Sequence, residues 1–373
     1  MSGRTLVLGQ GQLGLMLAEA GARLGLVVDR LDPDNERLLP GTSDLALETS
    51  ADVLLERYRL ITAEREELPD SPLIRALRES GRLCGAGALA LLPDRLAQKQ
   101  LLDRLEIPTA PWGRCDSEAD LDRLRNRVGG DLRIKLRRGG YDGRGQWHLR
   151  DGEALPELPA AAIAEASQDF RRELSLVGAR NGAGETVFYP LVENIHRDGM
   201  LRLTLAPAPG AQPYQRQAEQ WLGRLMAELD YTGVMAMELF ETPEGLRVNE
   251  LAPRVHNSGH WSHEGARTCQ FELHLRALHD LPLQTPEPDG MTAMVNLVGE
   301  PFQARWLTLP DARVHWYGKE VRPGRKLGHL NVRAADQASL EARLDELRAV
   351  PGLSIPDRDC APQRSGGSRV AEG

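Results

Sequence analysis

Cysteine is scarce in this chain. Four residues, Cys84, Cys115, Cys269 and Cys360, are spread over 373 positions with no C-x-x-C among them. That spacing fits the reduced thiols of a cytosolic enzyme better than a disulfide framework. Long apolar runs are also missing: no stretch of 18 apolar residues occurs, and no charged leader with a long apolar segment precedes the first strand near Arg4. The chain therefore reads as a soluble, unprocessed, cytoplasmic protein with no membrane partner. An excess of positive charge is the third absence. With 46 Lys and Arg against 54 Asp and Glu, the net charge of −8 argues against an electrostatic nucleic-acid binder. At 373 residues and 41% hydrophobic content the chain exceeds one core and should divide into two or three domains acting on a small ligand.

What is present begins with "KLRRGGYDGRGQWHLR", Lys135 to Arg150, a glycine-rich cationic loop between two expected strands. Glycine lets backbone N–H groups approach a ligand and Lys or Arg adds charge, which suits a phosphate or a carboxylate; a solvated hairpin turn is the plain alternative. At the amino terminus, a strand at Leu6–Leu8, a helix carrying Leu13 and Leu17, and a strand in "GLVVD" make a βαβ unit. Gly9, Gly11 and Gly14 match G-x-G-x-x-G, with Asp29 about 20 residues on, so an NAD-dependent oxidoreductase is one reading. Tight strand-to-helix packing is the other. "DVLLERYRLITAEREELP" reads as an apolar strand ending in the acidic cluster Glu64, Glu66 and Glu67. A helix bearing Leu96, Leu101, Leu102 and Leu105 follows and ends before Pro108, placing a domain boundary near residues 93–111.

Farther on, a helix over Arg216–Asp230 buries Trp221, Leu222, Leu225, Met226 and Leu229. Pro243-Glu244-Gly245 then reads as a three-residue hairpin loop, and pairing Thr242 with Leu246 sets Glu238 opposite Glu250. Opposed carboxylates need a cation, and oxygen ligands suit Mg²⁺, with Asn249 as a neutral donor. A bulge would instead put Asn249 opposite Glu238, and a solvated edge strand is the alternative to a metal site. A glycine-rich cationic loop together with a magnesium hairpin indicates ATP chemistry. In "PRVHNSGHWSH", the spacing of His256, His260 and His263 could build a zinc site, but with no acidic or cysteine ligand expected beside them an anion-binding loop with Arg254 is favoured. The alternative is a capping loop using Asn257 or Ser258. "QFELHLRALHDLP" reads as a core helix, and Arg322, Arg325 and Lys326 form a second cationic turn.

Taken in order, "VLGQGQLGLM", "KLRRGGYDGRGQW", "GVMAMELF", "VNELAPRVHNSGHW" and "EVRPGRKLGHLNV" closely resemble the N5-carboxyaminoimidazole ribonucleotide synthetase family of ATP-grasp ligases, from about residue 4 to about residue 335. The resemblance implies a mixed α/β and α+β architecture: a Rossmann-like domain over 1–93, a two-lobed ATP-grasp domain over 94–285 and a small carboxyl-terminal domain over 286–356. Residues 357–373 are expected to be a disordered polar tail. The activity implied is ATP-dependent carboxylation of 5-aminoimidazole ribonucleotide with bicarbonate through carboxyphosphate, with Mg²⁺ in two ions, in a homodimer. Carried over by resemblance, Arg95, Lys135, Gly140, Tyr141, Asp142, Gly143, Arg144, Gly145 and Gln146 hold ATP. Glu165, Ala166, Ser167 and Gln168 lie at the adenine and Glu173 at the ribose, with His196 and Asn249 completing the pocket. Glu238 and Glu250 bind Mg²⁺, and Tyr141, Arg144, Arg254, His256 and Lys326 face the reacting groups. Gln12, Glu64, Arg325 and Lys326 contact the ribonucleotide. Leu15, Glu67 and Ala166 depart from the family pattern.

Overall fold

The computed structural model describes residues 3–140 and 144–358. Strand β1 (Arg4–Leu8), helix α1 (Gln12–Arg23) and strand β2 (Val27–Asp32) form the expected βαβ unit, with β1 parallel to β2. Strands β3 (Arg37–Leu39) and β4 (Leu47–Glu48) add an antiparallel edge, and β5 (Leu60–Ala63) lies parallel on the other side of β1. The sheet order is β4-β3-β2-β1-β5. The long strand expected in "DVLLERYRLITA" is instead a helix, α2 (Ala51–Arg57), followed by the short β5. Ser50 caps α2 by accepting from Val53 N, and Asp52 favours its first turn, which settles the choice of helix. Helices α3 (Pro72–Glu79) and α4 (Ala86–Leu91) close this unit around Leu6, Leu8, Tyr58, Ile61 and Ile74.

Helix α5 (Arg95–Arg104) is capped by Asp94, which accepts from Leu96 N. A small antiparallel sheet follows, built from β6 (Trp112–Arg114), β7 (Leu132–Leu136), β8 (Gln146–Leu149) and β9 (Ala162–Ala166) in the order β6-β9-β7-β8, with α6 (Glu118–Val128) against it. The loop between β7 and β8 is the glycine-rich cationic segment. Gly140 is required there because a Cβ would lie 2.9 Å from Arg144 O and 3.0 Å from Arg95 Nη1. Tyr141, Asp142 and Gly143 lie outside the described residues.

The third sheet carries β10 (Arg172–Arg180), β11 (Thr186–Phe188), β12 (Val192–Arg197), β13 (Met200–Ala206), β14 (Gly233–Thr242), β15 (Gly245–Ala252), β16 (Met291–Val298), β17 (Ala312–Trp316) and β18 (Lys326–Ala334). Its main path is β15-β14-β10-β12-β13-β16-β18-β17, with β11 on β10. Helix α7 (Gln212–Glu228) begins four residues before the expected Arg216, because Pro213 suits a first turn, and covers the face of Leu174, Leu176, Met235 and Met237. The opposite face, with Val177, Ala179, Val234 and Ala236, packs on α9 (Gln270–Leu278), and Val7, Met16 and Leu17 join that core. Glu238 alternates onto this second face, between the amino-terminal unit and the sheet.

The segment expected as a separate small domain over 286–356 does not have a sheet of its own. Strand β16 pairs with β13 from Leu203↔Val295 to Ala206↔Thr292, and Leu203 and Leu205 share a core with Trp306, Leu330 and Leu344 beneath α10 (Gln337–Arg348). The expected tail over 357–373 is described only at its first two residues. Asp357 pairs with Arg348 at 3.1 Å and Arg358 with Glu193 at 3.2 Å. Residues 359–373, including Cys360, lie outside the described residues. Among the described residues no helix is long and apolar enough to cross a membrane.

Candidate active site

The hairpin of β14 and β15 brings Glu238 opposite Glu250, though not by the expected register. Thr242 pairs with Gly245 and Leu239 with Val248, so the turn has two central residues, Pro243 and Glu244, in place of the expected three. That register alone would put Asn249 opposite Glu238. A bulge between Glu238 and Leu239 takes up Asn249 and restores the pairing of Glu238 with Glu250. Asn249 Nδ2 then donates to Glu238 Oε2 at 3.4 Å, while Lys135 Nζ donates to Asn249 Oδ1 at 3.1 Å. Burial pushes Glu238 up to about 7, opposed by His196 and reinforced by Glu250 and Glu173. Glu250 Oε1 accepts from Arg95 Nη2 at 3.2 Å. His256 Nε2 lies 3.5 Å from Glu238 Oε1, and burial with the positive charges of Arg254 and Lys326 holds that imidazole well below its ordinary range.

On the side of the glycine-rich loop, Arg95 spans the gap by donating to Leu136 O at 2.9 Å and to Gly140 O at 2.8 Å. Glu165 is clamped between Lys99 and Lys135, each at 2.7 Å. Burial would raise that carboxyl, but the two ammonium groups bring it down to about 2. The side chain expected at an adenine is thus already taken up by two lysines. Backbone contacts hold the next residues, with Ala166 N donating to Pro111 O at 2.8 Å and Ser167 N to Asp131 O at 2.9 Å; Gln168 Nε2 donates to Ala166 O at 3.0 Å. Gly145 sits in the left-handed region at φ 65°, and Gln146 opens β8. Glu67, one of the departures, accepts from Gly139 N at 3.0 Å and ties the amino-terminal unit to the loop. Glu173 and His196 pair at 3.1 Å; burial works against the imidazolium, yet Glu173 raises it to about 9.

From the other side, Arg254 pairs with Glu66 at 2.8 Å. The charge of Lys326, at the start of β18, acts on Glu238, His196 and His256, so this strand reaches the same centre. Arg325, expected beside it, donates to Glu320 O at 3.3 Å within its own turn. Gln12 Oε1 accepts from Lys319 Nζ.

The dinucleotide reading of the amino terminus fails on geometry. Glu64 accepts from Gly11 N and, at 2.5 Å, from Gly14 N, so the amides that would cradle a pyrophosphate hold the protein's own carboxylate. Glu64 is buried and its carboxyl is raised by that burial, which makes it a brace for the turn. Asp29, the acid that follows the glycines in the NAD reading, is 2% exposed and accepts from Tyr58 Oη at 2.5 Å, Arg57 Nη2 at 3.1 Å and Gly41 N at 2.7 Å.

The expected anion-binding loop divides in two. Arg254 and His256 face Glu66 and Glu238, whereas His260 and His263 turn toward His329 and His315. An acidic group does lie beside these histidines, since Glu264 pairs with His315 at 2.9 Å. Neither Asn257 nor Ser258 caps the turn; His256 does, accepting from Ser258 N at 3.3 Å.

Sequence reasoning missed Lys99 and Lys319, and named Glu66 only as one of an acidic cluster. A signal for the first two is present, because only four of the 46 basic residues are lysine: Lys99, Lys135, Lys319 and Lys326. In a chain that otherwise uses arginine, each retained ammonium marks a position where a compact, movable point charge is needed. All four lie around this cleft, on Glu165, Asn249, Gln12 and in the field of Glu238.

Comparison with known proteins adds to this geometry. A profile of the ATP-grasp domain matches residues 100–271, and one of the phosphoribosylaminoimidazole carboxylase C-terminal domain matches residues 292–343. The chain is 47% identical over 346 residues to N5-carboxyaminoimidazole ribonucleotide synthase of Escherichia coli K12, covering 91% of this chain and 93% of the relative. It superposes on the N5-carboxyaminoimidazole ribonucleotide synthetase crystal structure from Thermus thermophilus with TM-score 0.83 at 42% identity, covering 95% and 99% of the two chains. The Aspergillus clavatus synthase bound to ADP and 5-aminoimidazole ribonucleotide gives TM-score 0.80 at 27% identity, with 93% and 97% covered.

Proposed function

Because the chain belongs to the N5-carboxyaminoimidazole ribonucleotide synthase family of ATP-grasp ligases, we propose that it uses ATP to join bicarbonate to 5-aminoimidazole ribonucleotide, releasing ADP and phosphate, in purine biosynthesis. In this reading a bicarbonate oxygen takes the γ-phosphoryl group, and the exocyclic amine of the ribonucleotide then attacks the carbonyl carbon of carboxyphosphate as phosphate leaves. The observation that carries the proposal is the opposed carboxylate pair Glu238 and Glu250, with Asn249 bulged beside it onto Lys135 from the glycine-rich loop side and Arg95 of α5 on Glu250.

Phosphoryl transfer asks a protein mainly for positioning and charge neutralisation. Lys135 and Arg95, with the amides of the β7–β8 loop, would orient the phosphates, while Glu173 and His196 would border the nucleoside. Glu238, Glu250 and Asn249 offer hard oxygen donors with unbalanced negative charge, which fits Mg²⁺. When bound there, Mg²⁺ supplies neutralisation of the charge on the transferred phosphoryl group. Arg254 and Lys326 would hold carboxyphosphate and the ribonucleotide, and Gln12 with Lys319 would close the far end. His256, kept neutral and with Nδ1 accepting from Ser258 N, would present Nε2–H to the site as a hydrogen-bond donor.

The test supplies ATP, Mg²⁺, labelled bicarbonate and 5-aminoimidazole ribonucleotide, with rapid trapping of the labile carbamate. ADP release that depends on the ribonucleotide, with label in the product, is expected; ADP release without that dependence overturns the reading. A cytoplasmic homodimer belongs to the same proposal, and sedimentation as a 41.2 kDa monomer at micromolar concentration would remove the dimer from it.

A further inference from the structure

Behind the site just described, three histidines from distant parts of the sequence meet where phosphoryl chemistry has no use for them. His263 lies on the short helix α8 (Ser262–Gly265), His315 on β17 and His329 on β18. One ring nitrogen from each lies within 4.8 Å of the other two. The rings are stacked, His315 on His329 at 4.4 Å between centroids and His263 on His315 at 4.5 Å.

Two nitrogens in this cluster are unspent: Nε2 of His263 and Nε2 of His329 are buried without a hydrogen-bond partner. Such atoms are rare in native proteins, and two in one cluster require an explanation. The neighbouring nitrogens are held. His329 Nδ1 lies 2.8 Å from Tyr317 Oη, and His315 Nε2 lies 2.9 Å from Glu264 Oε1, whose other oxygen accepts from Asn331 Nδ2 at 2.5 Å. A hydrogen bond on one ring nitrogen that fixes the tautomer and frees the other is how metal-bound imidazoles are supported. His315 and Glu264 keep 23% and 20% of their side chains exposed, which leaves an entry route.

We propose that His263, His315 and His329 bind a transition-metal ion of the zinc class, with Glu264 backing His315, and that the ion clasps α8 to β17 and β18. Imidazole donors favour Zn²⁺, Ni²⁺ or Cu²⁺ over Mg²⁺, so this site is chemically distinct from the all-oxygen pair Glu238 and Glu250. Ligands at about 2.0–2.1 Å from a tetrahedral ion stand about 3.4 Å apart with the ion in the plane of each ring, so the nitrogens must close by up to about 1.4 Å and the stacked rings must turn out of parallel to meet it. The proposal is independent of the carboxylation reading.

The test uses full-length protein stripped with a chelator and titrated with CoCl₂ in excess Mg²⁺. One equivalent of cobalt is expected to develop the visible absorption of a tetrahedral site, and one equivalent of ZnCl₂ is expected to bleach it and raise the melting temperature by several degrees. His263→Gln and His315→Gln should each abolish the band, whereas Glu250→Gln should retain it. Wild-type protein that develops no stoichiometric band overturns the proposal without recourse to any variant. A band that survives in both histidine variants, or vanishes in Glu250→Gln, overturns it equally.

Discussion

Glu238 and Glu250 face each other because Asn249 is bulged out of the ladder between them, and the same bulge brings Asn249 Oδ1 within 3.1 Å of Lys135 Nζ. One inserted residue therefore sets both the carboxylate pair and its link to the cationic loop. Glu250→Gln should keep the fold, by circular dichroism, and lower magnesium-dependent ADP release at least ~100-fold, since one hard anionic ligand is lost. Turnover near the wild-type rate would remove Glu250 from the metal set.

Glu238 predicts a pH signature in stability. Its folded pKa of about 7 exceeds the ordinary 4.5, so stability available below 4.5 is lost as pH rises through about 7. Without Mg²⁺, Glu238→Gln should melt like wild type at pH 4 and be more stable above pH 7, by about 3 kcal/mol at most. Added Mg²⁺ should narrow that gap. Thermal melts from pH 4 to 8 decide the matter, and an equal gain at pH 4 would contradict the assignment.

Lys326 sits at the start of β18, far in sequence from the loop around Lys135. A charge-assisted contact is worth roughly 1.5–3 kcal/mol, so Lys326→Ala should lower kcat/KM for the ribonucleotide by about 10- to 100-fold while ATP affinity holds. Steady-state kinetics with each substrate varied, plus ATP titration, separates this from a mere surface ion pair, which would leave both unchanged.

Lys99 and Glu165 form a buried pair with side chains 3% and 5% exposed. Lys135 still partners Glu165 when Lys99 is removed, so Lys99→Met should cost less than the about 3–5 kcal/mol of an unpaired buried charge and should unfold at modestly lower denaturant. Lys99→Arg keeps the charge but is bulkier where Lys99 also donates to Thr109 Oγ1. Nucleotide-induced stabilisation should fall in this variant too, and a Lys99→Arg protein with normal ATP response would show that charge alone matters there.

Asp29 is a structural acid in this fold. Asp29→Ala strands the Tyr58 hydroxyl and Gly41 N, and should cost about 1.5–3 kcal/mol in urea melts. NADH should shift the melt of neither protein. A wild-type shift with NADH and none with ATP and Mg²⁺ would reverse the reading of the amino terminus.

The parts of the fold legible in the sequence are those written in local pattern. The βαβ unit and the stripe of α7 follow from spacing of apolar residues and glycine, whereas the strands expected to flank Lys135–Arg150 run into that stretch, with β8 wholly inside it. The facing of Glu238 and Glu250 comes out correctly through two differences that cancel, a shorter turn and a bulge, because turn chemistry at Pro243-Glu244-Gly245 fits either loop length. Contacts between distant segments are out of reach. Nothing local says that Glu64 folds back on Gly11 and Gly14, that Lys99 meets Glu165, or that His263, His315 and His329 gather. The four lysines are a compositional clue to two of the missed residues, and their scarcity has meaning only once their shared location is seen.

The hydrogen-bonded ladder running from β15 to β17 also governs what happens to a shortened chain. Ending the protein at residue 285 would strip β16 from β13 and bare a row of backbone amides and carbonyls along Leu203–Ala206. Leu203 and Leu205 would lose the cover of Trp306 and Leu344 at the same time. An open, apolar sheet edge is a template for another chain, so the shortened protein would clump before it could serve as a nucleotide-binding fragment. In the intact chain the segment after 285 acts as a selvedge, and heat should unravel both stretches of the fabric in a single event.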